Sequence, residues 1–402
     1  MSNAVDPYDP LPRSSSQSLA DDVASLRLEH VVSASPPPFA LKRHKKPSAA
    51  SSKEERVEMV SRGELPWTVQ RTLGFGAFGA VFDATLKDDE RVALKICFTT
   101  VKTFGVEREI EILAEIARRR PDATPRAAGE LVELRTLYTF AGACALAMRL
   151  ADTTLSGLAG ALRGMSSSAR FSEPVALFYA VGILDAVASF HAADFLHGDV
   201  KPDNVCLRFG SPSAAAAARS DAPAVSAVVE AGYGVTLIDY SLAVDLRAYA
   251  DPAQRFRFGA ESPGPVDEYC WPPAIKGASW RREVDLYAVG AILYQLLTNK
   301  PEPRTGKAFE PRALETRLPR GWHRKLWAET LAPLLNGADV DLVAASRALR
   351  DHLEAGVLRG DPAPLVQELE RMCRVVDPRK AAASAAAARS PAKRKRTEGD
   401  AT

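Results

Sequence analysis

His197-Gly198-Asp199-Val200-Lys201-Pro202-Asp203-Asn204 sets an acid, a cation and an amide two and three residues apart. An aspartate held in such a stretch, Asp199, can orient an attacking hydroxyl and accept its proton. Lys201 can stabilise a transferring phosphoryl group through its charge. Asn204 offers an amide oxygen to a metal ion. His197 has the plainer reading of a packed residue that shapes the turn.

Working outward, Leu237-Ile238-Asp239-Tyr240-Ser241 is an apolar strand ending in one acid, a hard-oxygen ligand suited to Mg²⁺. Upstream, Val92-Ala93-Leu94-Lys95 ends an apolar strand in a lysine. An ammonium there can pair the phosphates of a nucleotide, and it needs a carboxylate partner. Glu109 lies one helix later, beside the apolar stripe of Val106, Ile110, Leu113 and Ala117. A carboxylate on an inward face needs a cation, and Lys95 supplies one. Glu107 and Glu111 are its rivals and point more to solvent. Gly74-Phe75-Gly76-Ala77-Phe78-Gly79-Ala80-Val81 lies between two strand patterns. Its glycines let the backbone approach phosphates and present N–H donors, with Phe78 over the tip. Alone it is weak: a plain Gly-rich hairpin looks the same, while a dinucleotide fingerprint would run into a helix.

In this order and spacing the four motifs resemble the signature set of Ser/Thr protein kinases. The resemblance covers about residues 65–376. It implies an α+β, two-lobed protein kinase fold: a small antiparallel β lobe with one helix, then a larger, mainly helical lobe. It implies ATP and Mg²⁺ as cofactors. Asp199, Lys201, Lys95 and Glu109 take the catalytic roles, and Asn204 and Asp239 hold the metal. The nucleotide site is implied to comprise Gly74, Gly76, Phe78, Gly79, Val81, Ala93, Lys95, Met148, Arg149 and Ala151, with Met148 as gatekeeper of a hinge over 148–151. A lysine two residues after the aspartate matches the Ser/Thr branch.

The 402 residues are 46% hydrophobic and 25% charged, with net charge +2, so charge alone argues for neither nucleic acid nor membrane as a partner. Five scattered cysteines form no disulfide framework or zinc site and suit a reducing compartment. No signal peptide or membrane-length run is read, so a soluble, intracellular protein is expected. Ser, Pro and Ala richness predicts a disordered tail over 1–64, with a short helix near Leu19–Leu28. The kinase domain is placed at 65–378, with an N-lobe at 65–148 and a C-lobe at 152–378. Strands are expected at Trp67–Leu73, Ala80–Thr85, Arg91–Phe98, Glu130–Phe140 and Cys144–Leu150. Ser172 is expected to cap a helix that has Pro174 in its first turn. Residues 210–231 read as a low-complexity surface loop whose deletion leaves activity near normal. A disordered basic tail, 379–402, carries Lys393-Arg394-Lys395-Arg396, which reads as a nuclear localisation signal or as a solvated charge cluster.

Departures from the general kinase pattern narrow the resemblance. Gly198 stands where most regulated kinases have Arg, so switching by a phosphate on the activation segment is less expected. Pro272-Pro273-Ala274 replaces Ala-Pro-Glu, and Tyr240-Ser241 replaces Phe-Gly. Asp285 is retained and is expected to brace the catalytic loop. With Val244-Asp245-Leu246, Trp280 and the helical stretches around Leu326-Trp327-Ala328-Glu329 and Leu334-Leu335-Asn336, these features are similar to the Bub mitotic-checkpoint kinases. That resemblance implies a nuclear protein at kinetochores, with checkpoint partners and a protein substrate such as a histone tail. About 64 residues precede the kinase lobe, so recruitment is expected to use another route or a partner. A pseudokinase scaffold stays open as the alternative, favoured by Tyr240-Ser241. A small-metabolite kinase is disfavoured by Lys201-Pro202 and the long segment from Asp239 to about Ala274.

Overall fold

The computed structural model describes residues 4–5, 29–32, 35–45, 55–76, 79–98, 104–119, 128–166, 169–210, 223–258, 268–301 and 308–376. The chain begins with β1 (Glu29–Val32), β2 (Phe39–Lys45) and β3 (Glu55–Ser61). These correct the expectation of disorder through residue 64. Strand β2 pairs antiparallel with β3, from Phe39 opposite Ser61 to Lys45 opposite Glu55. Phe39 and Val57 are buried in the small lobe's core. Phe39 meets the rings of Trp67, Phe98 and Phe140 at 5.9, 6.0 and 5.6 Å. A polar hairpin with few apolar residues cannot bury a core by itself; here the lobe supplies the other half. The helix expected near Leu19–Leu28 lies outside the described residues, as does the basic tail.

Strands β4 (Trp67–Gly76), β5 (Gly79–Leu86) and β6 (Arg91–Phe98) follow, then helix α1 (Phe104–Arg119). Buried Phe82 and Ala84, and Val92, Leu94 and Ile96, alternate along β5 and β6 with the period of two that a sheet face demands. Next come β7 (Gly129–Leu131), β8 (Leu134–Phe140) and β9 (Ala143–Arg149). The small lobe is a six-stranded sheet in the order β1-β8-β9-β6-β5-β4, in which β1 runs parallel to β8. The single strand expected over Glu130–Phe140 is thus two. The backbone N–H of Val132, at the break, donates to Leu237 O (3.1 Å) and Tyr240 Oη (3.0 Å). Both acceptors belong to the large lobe, so β7 departs from the small-lobe sheet.

The large lobe starts with β10 (Thr153–Thr154), α2 (Leu155–Met165), α3 (Glu173–Ala192), β11 (Phe195–Leu196) and β12 (Val205–Arg208). Helix α3 is apolar nearly all round because it is the axis of this lobe. By length and composition it could cross a membrane, but most of it is buried in the fold. Ser172 stands at its N-cap without a side-chain hydrogen bond; Pro174 begins the turn. Strand β7 reaches α3 closely: a Cβ on Gly129 would lie 1.7 Å from Gly182 O. This approach lets β7 pair parallel with β13 (Gly234–Leu237), which follows α4 (Ala224–Glu230).

Helix α4 corrects the reading of 210–231 as a surface loop. Ala224, Val225, Val228 and Val229 are buried in the main core, and Ala227 is buried beside them in the chain. The Glu354 carboxylate accepts from the N–H groups of Ala224 (2.9 Å) and Val225 (2.7 Å). Deleting 210–231 therefore removes core, at about 1.5–3 kcal/mol per buried valine. Alanine-rich composition hid a helix whose partners lie far along the chain. Residues 211–222 lie outside the described set.

Strand β14 (Val244–Asp245) pairs with β11, and the lobe closes with α5 (Pro272–Ile275), α6 (Glu283–Thr298), α7 (Pro311–Glu315), α8 (Arg324–Leu335), α9 (Leu342–Asp351) and α10 (Ala363–Val376). Asp341 caps α9 by accepting from Val343 N (2.9 Å) and Ala344 N (3.0 Å). Helix α6 ends at Asn299, whose φ of 53° is the left-handed conformation of a C-cap. None of the five cysteines forms a disulfide.

Candidate active site

The lobes meet around three charged groups. Lys95 Nζ, on β6, lies 2.6 Å from Glu109 Oε2 on α1 and 3.0 Å from Asp239 Oδ1 after β13. Glu109 is 1% exposed and Lys95 8%, so neither charge is held by bulk water. Burial alone would lower the Lys95 pKa, but Glu109 and then Asp239 outweigh it and hold the ammonium protonated. Burial likewise pushes the Glu109 carboxyl up, against the pull of Lys95. Burial would raise Asp239 as well; Lys95 and the Ser241 hydroxyl bring it instead down to about 2. Ser241 Oγ donates to Asp239 Oδ1 at 2.8 Å, so the serine in the family's glycine position binds its own acid.

The second cluster lies on the loop between β11 and β12. Lys201 Nζ donates to Asp199 Oδ2 at 2.7 Å. Asn204 Nδ2 donates to Asp199 O (2.8 Å) and Oδ2 (3.1 Å). With its nitrogen so engaged, Asn204 has its amide oxygen left to offer a metal. Ile238 N donates to Asn204 O at 3.0 Å, which ties this loop to the segment bearing Asp239. Asn204 and Asp239 supply hard oxygens. Among the described residues, no three or more His, Cys, Asp or Glu side chains gather as a metal cage. A few protein oxygens, completed by water and phosphate, are what Mg²⁺ accepts, so the donor set fits that ion.

Below both clusters, Asp285 of α6, 1% exposed, braces the loop backbone. Its carboxylate accepts from His197 N (2.8 Å) and Gly198 N (2.9 Å) and meets His191 Nε2 at 2.9 Å. Burial raises the Asp285 pKa, but the bond to His191 outweighs it and the net shift is downward. The His197 ring reaches Ile238 O at 3.1 Å, and burial lowers its pKa. Tyr240 is fully buried; its hydroxyl donates to Leu237 O (2.9 Å) and accepts from Val132 N.

For the expected nucleotide site, register sets Ala93 opposite Met148, Val81 opposite Lys95 and Gly76 opposite Gly79. Gly74 has open space where a side chain would be. Arg149 turns its guanidinium towards Glu130 (3.8 Å), and Ala151 is half-buried just before β10. Phe78 lies outside the described residues. Sequence reasoning missed Leu73, 40% exposed just before the glycines, and His191, which sits on Asp285. It also missed two arginines of α1. Arg108 donates to Ala243 O at 3.2 Å, and Arg119 grips Asp245. Charges on a helix read as solvated unless the partner is known.

The protein kinase domain family matches residues 67–317. Aurora/IPL1-related protein kinase 2 of Caenorhabditis elegans is 27% identical over 240 residues, which cover 58% of this chain and 63% of that protein. The mitotic checkpoint serine/threonine-protein kinase BUB1 of Mus musculus is 24% identical over 299 residues, 73% of this chain and 26% of its own length. The chain thus spans under two thirds of either relative. In fold it resembles the BubR1 kinase domain, with a TM-score of 0.61 at 18% identity, covering 89% of this chain and 98% of that one.

Proposed function

The chain belongs to the protein kinase domain family, and from that premise we propose that it transfers the γ-phosphoryl group of Mg-ATP to Ser or Thr hydroxyls of proteins. The observation that carries the reading is Lys95 held between Glu109 and Asp239, at 2.6 and 3.0 Å, across the cleft from Asp199 and Lys201. Lys95 and the glycine loop would orient the nucleotide phosphates. Asp199 orients the acceptor hydroxyl and takes its proton, and Lys201 offsets charge on the moving group. Asn204 and Asp239 would hold Mg²⁺, which offsets phosphate charge when bound.

The finer proposal is a Bub-like checkpoint role: a nuclear protein acting at kinetochores on a histone tail or a similar protein substrate. Similarity to BUB1 over 73% of the chain supports it. The second reading is a pseudokinase scaffold, favoured by Ser241, whose hydroxyl engages a metal-binding oxygen of Asp239.

The test is radiolabelled phosphate transfer from Mg-ATP by the full chain, on mixed histones beside a generic acidic protein, with Asp199→Asn as control. Transfer that falls by ~10²–10⁴-fold in the variant, with nucleotide still bound, is expected. Labelling of the acidic protein alone would keep the kinase and remove the histone proposal. Nucleotide binding without any transfer would move the assignment to the scaffold.

A further inference from the structure

Helix α1 must stay against the cleft for Glu109 to reach Lys95. In many kinases a phosphate on the activation segment secures that arrangement by binding cations, one of them beside the catalytic aspartate. Here that position is Gly198, with no side chain to offer. The structure shows a different tie.

Arg119, the last residue of α1, is 12% exposed and forks onto Asp245: Nη2 lies 2.6 Å from Oδ2, and Nη1 3.1 Å from Oδ1. Its Nη1 also donates to Ala193 O (2.8 Å) and its Nε to Glu115 Oε2 (3.0 Å). The guanidinium lies 4.4 Å from the centre of the Phe195 ring. Phe195 and Asp245 are direct partners in the two-stranded β11–β14 sheet. Strand β11 runs into His197-Gly198-Asp199, and β14 follows Asp239-Tyr240-Ser241. One guanidinium therefore joins the end of α1 to the two strands that flank the segments bearing the candidate reacting groups. Arg108, one residue before Glu109, adds a bond to Ala243 O on the same segment.

We propose that the Asp245 carboxylate is a built-in substitute for an activating phosphate. The Arg119–Asp245 pair holds α1 and the activation segment in the transfer-competent arrangement, and activity needs no phosphorylation of that segment. The inference rests on the kinase reading. Arg119 and Asp245 are positioning residues, which act through Glu109 and Lys95. A bidentate pair suits the task, because it fixes orientation as well as distance.

The test combines rate, exchange and phosphate content. Wild-type protein treated with a broad-specificity phosphatase, and shown by mass to be free of phosphate, should keep its kcat. Arg119→Ala and Asp245→Asn should each lower kcat ~10²-fold, as expected for misplaced catalytic groups. They should also speed amide hydrogen exchange in Phe104–Arg119. The double variant should lose no more than either single one, which marks a shared interaction. Asp245→Asn keeps the side chain's shape and carries the test if Arg119→Ala does not fold. Loss of activity on dephosphorylation, or variants with unchanged kcat and exchange, would overturn the proposal. Faster α1 exchange in the variants of a wild type that transfers no phosphate would keep the tie and overturn the kinase reading instead.

Discussion

The catalytic loop and the glycine-rich loop face the same cleft and are built in opposite ways. The catalytic loop hangs from one buried carboxylate: Asp285 receives two backbone N–H bonds and a histidine, each within 2.9 Å. Asp199, Lys201 and Asn204 are bonded to one another above it. The glycine loop leaves Leu73 and Phe75 40% and 42% exposed, and Gly74 has nothing within 4 Å of its missing side chain. On the proposed kinase reading, groups that would meet developing charge are positioned in advance, where reorganisation would cost rate. Groups that would enclose a nucleotide are left open to it.

The largest break of this contrast is Asp285→Ala. It strands the N–H groups of His197 and Gly198 in the interior, and a loss of about 3 kcal/mol is expected in urea unfolding, together with a fall in kcat. An unchanged midpoint would show that the loop stands without its brace. Next is Gly79→Ala, beside the tip of the glycine loop. Gly79 has φ of 151°, and an added Cβ would lie 2.1 Å from Ile96 O. About 2 kcal/mol of stability should be lost, whereas Gly74→Ala should leave stability within about 0.5 kcal/mol and alter ATP affinity alone. Equal losses at both glycines would erase the distinction between the crowded position and the open one.

Smaller is Tyr240→Phe, which removes the hydroxyl shared by Leu237 O and Val132 N. About 1 kcal/mol is expected from thermal unfolding, and an unaltered midpoint would mean water replaces the hydroxyl. The smallest is a pH effect. Burial holds the His197 pKa below 6.5, so as pH falls through 6.5 the unfolded chain binds a proton that the folded loop refuses. Stability should therefore drop from pH 7.5 to 5.5, and less steeply in His197→Asn. His352, also lowered, contributes with the same sign, and Asp239, at about 2, stays charged throughout. A flat profile in the wild type would show that the ring is reached by solvent.

Short motifs made much of the site legible. Asp199, Lys201 and Asn204 are neighbours in the chain as well as in space, so spacing alone pairs them. Glu109 was readable because an acid on the inward face of α1 demands a cation, and Lys95 demanded an acid. Arg119 gave no such signal. Its partner Asp245 is 126 residues away, and nothing local distinguishes it from the other arginines near the end of α1. The same holds for β2 and β3, whose few apolar residues look insufficient until Trp67 and Phe140 stand beside them, and for α4, a short Ala/Val run that reads as low complexity until the main core is set against it.

By itself, then, the sequence determined the candidate reacting groups, their order and the two-lobed class, because these follow from local patterns and from charges that need partners. Tertiary structure alone decided that Glu130–Phe140 divides between the lobes, that residues 29–61 contribute strands to the small lobe, and that Arg119 meets Asp245. Those outcomes depend on which distant surface is close enough to exclude water and accept a hydrogen bond, and no property of the segment alone contains that information.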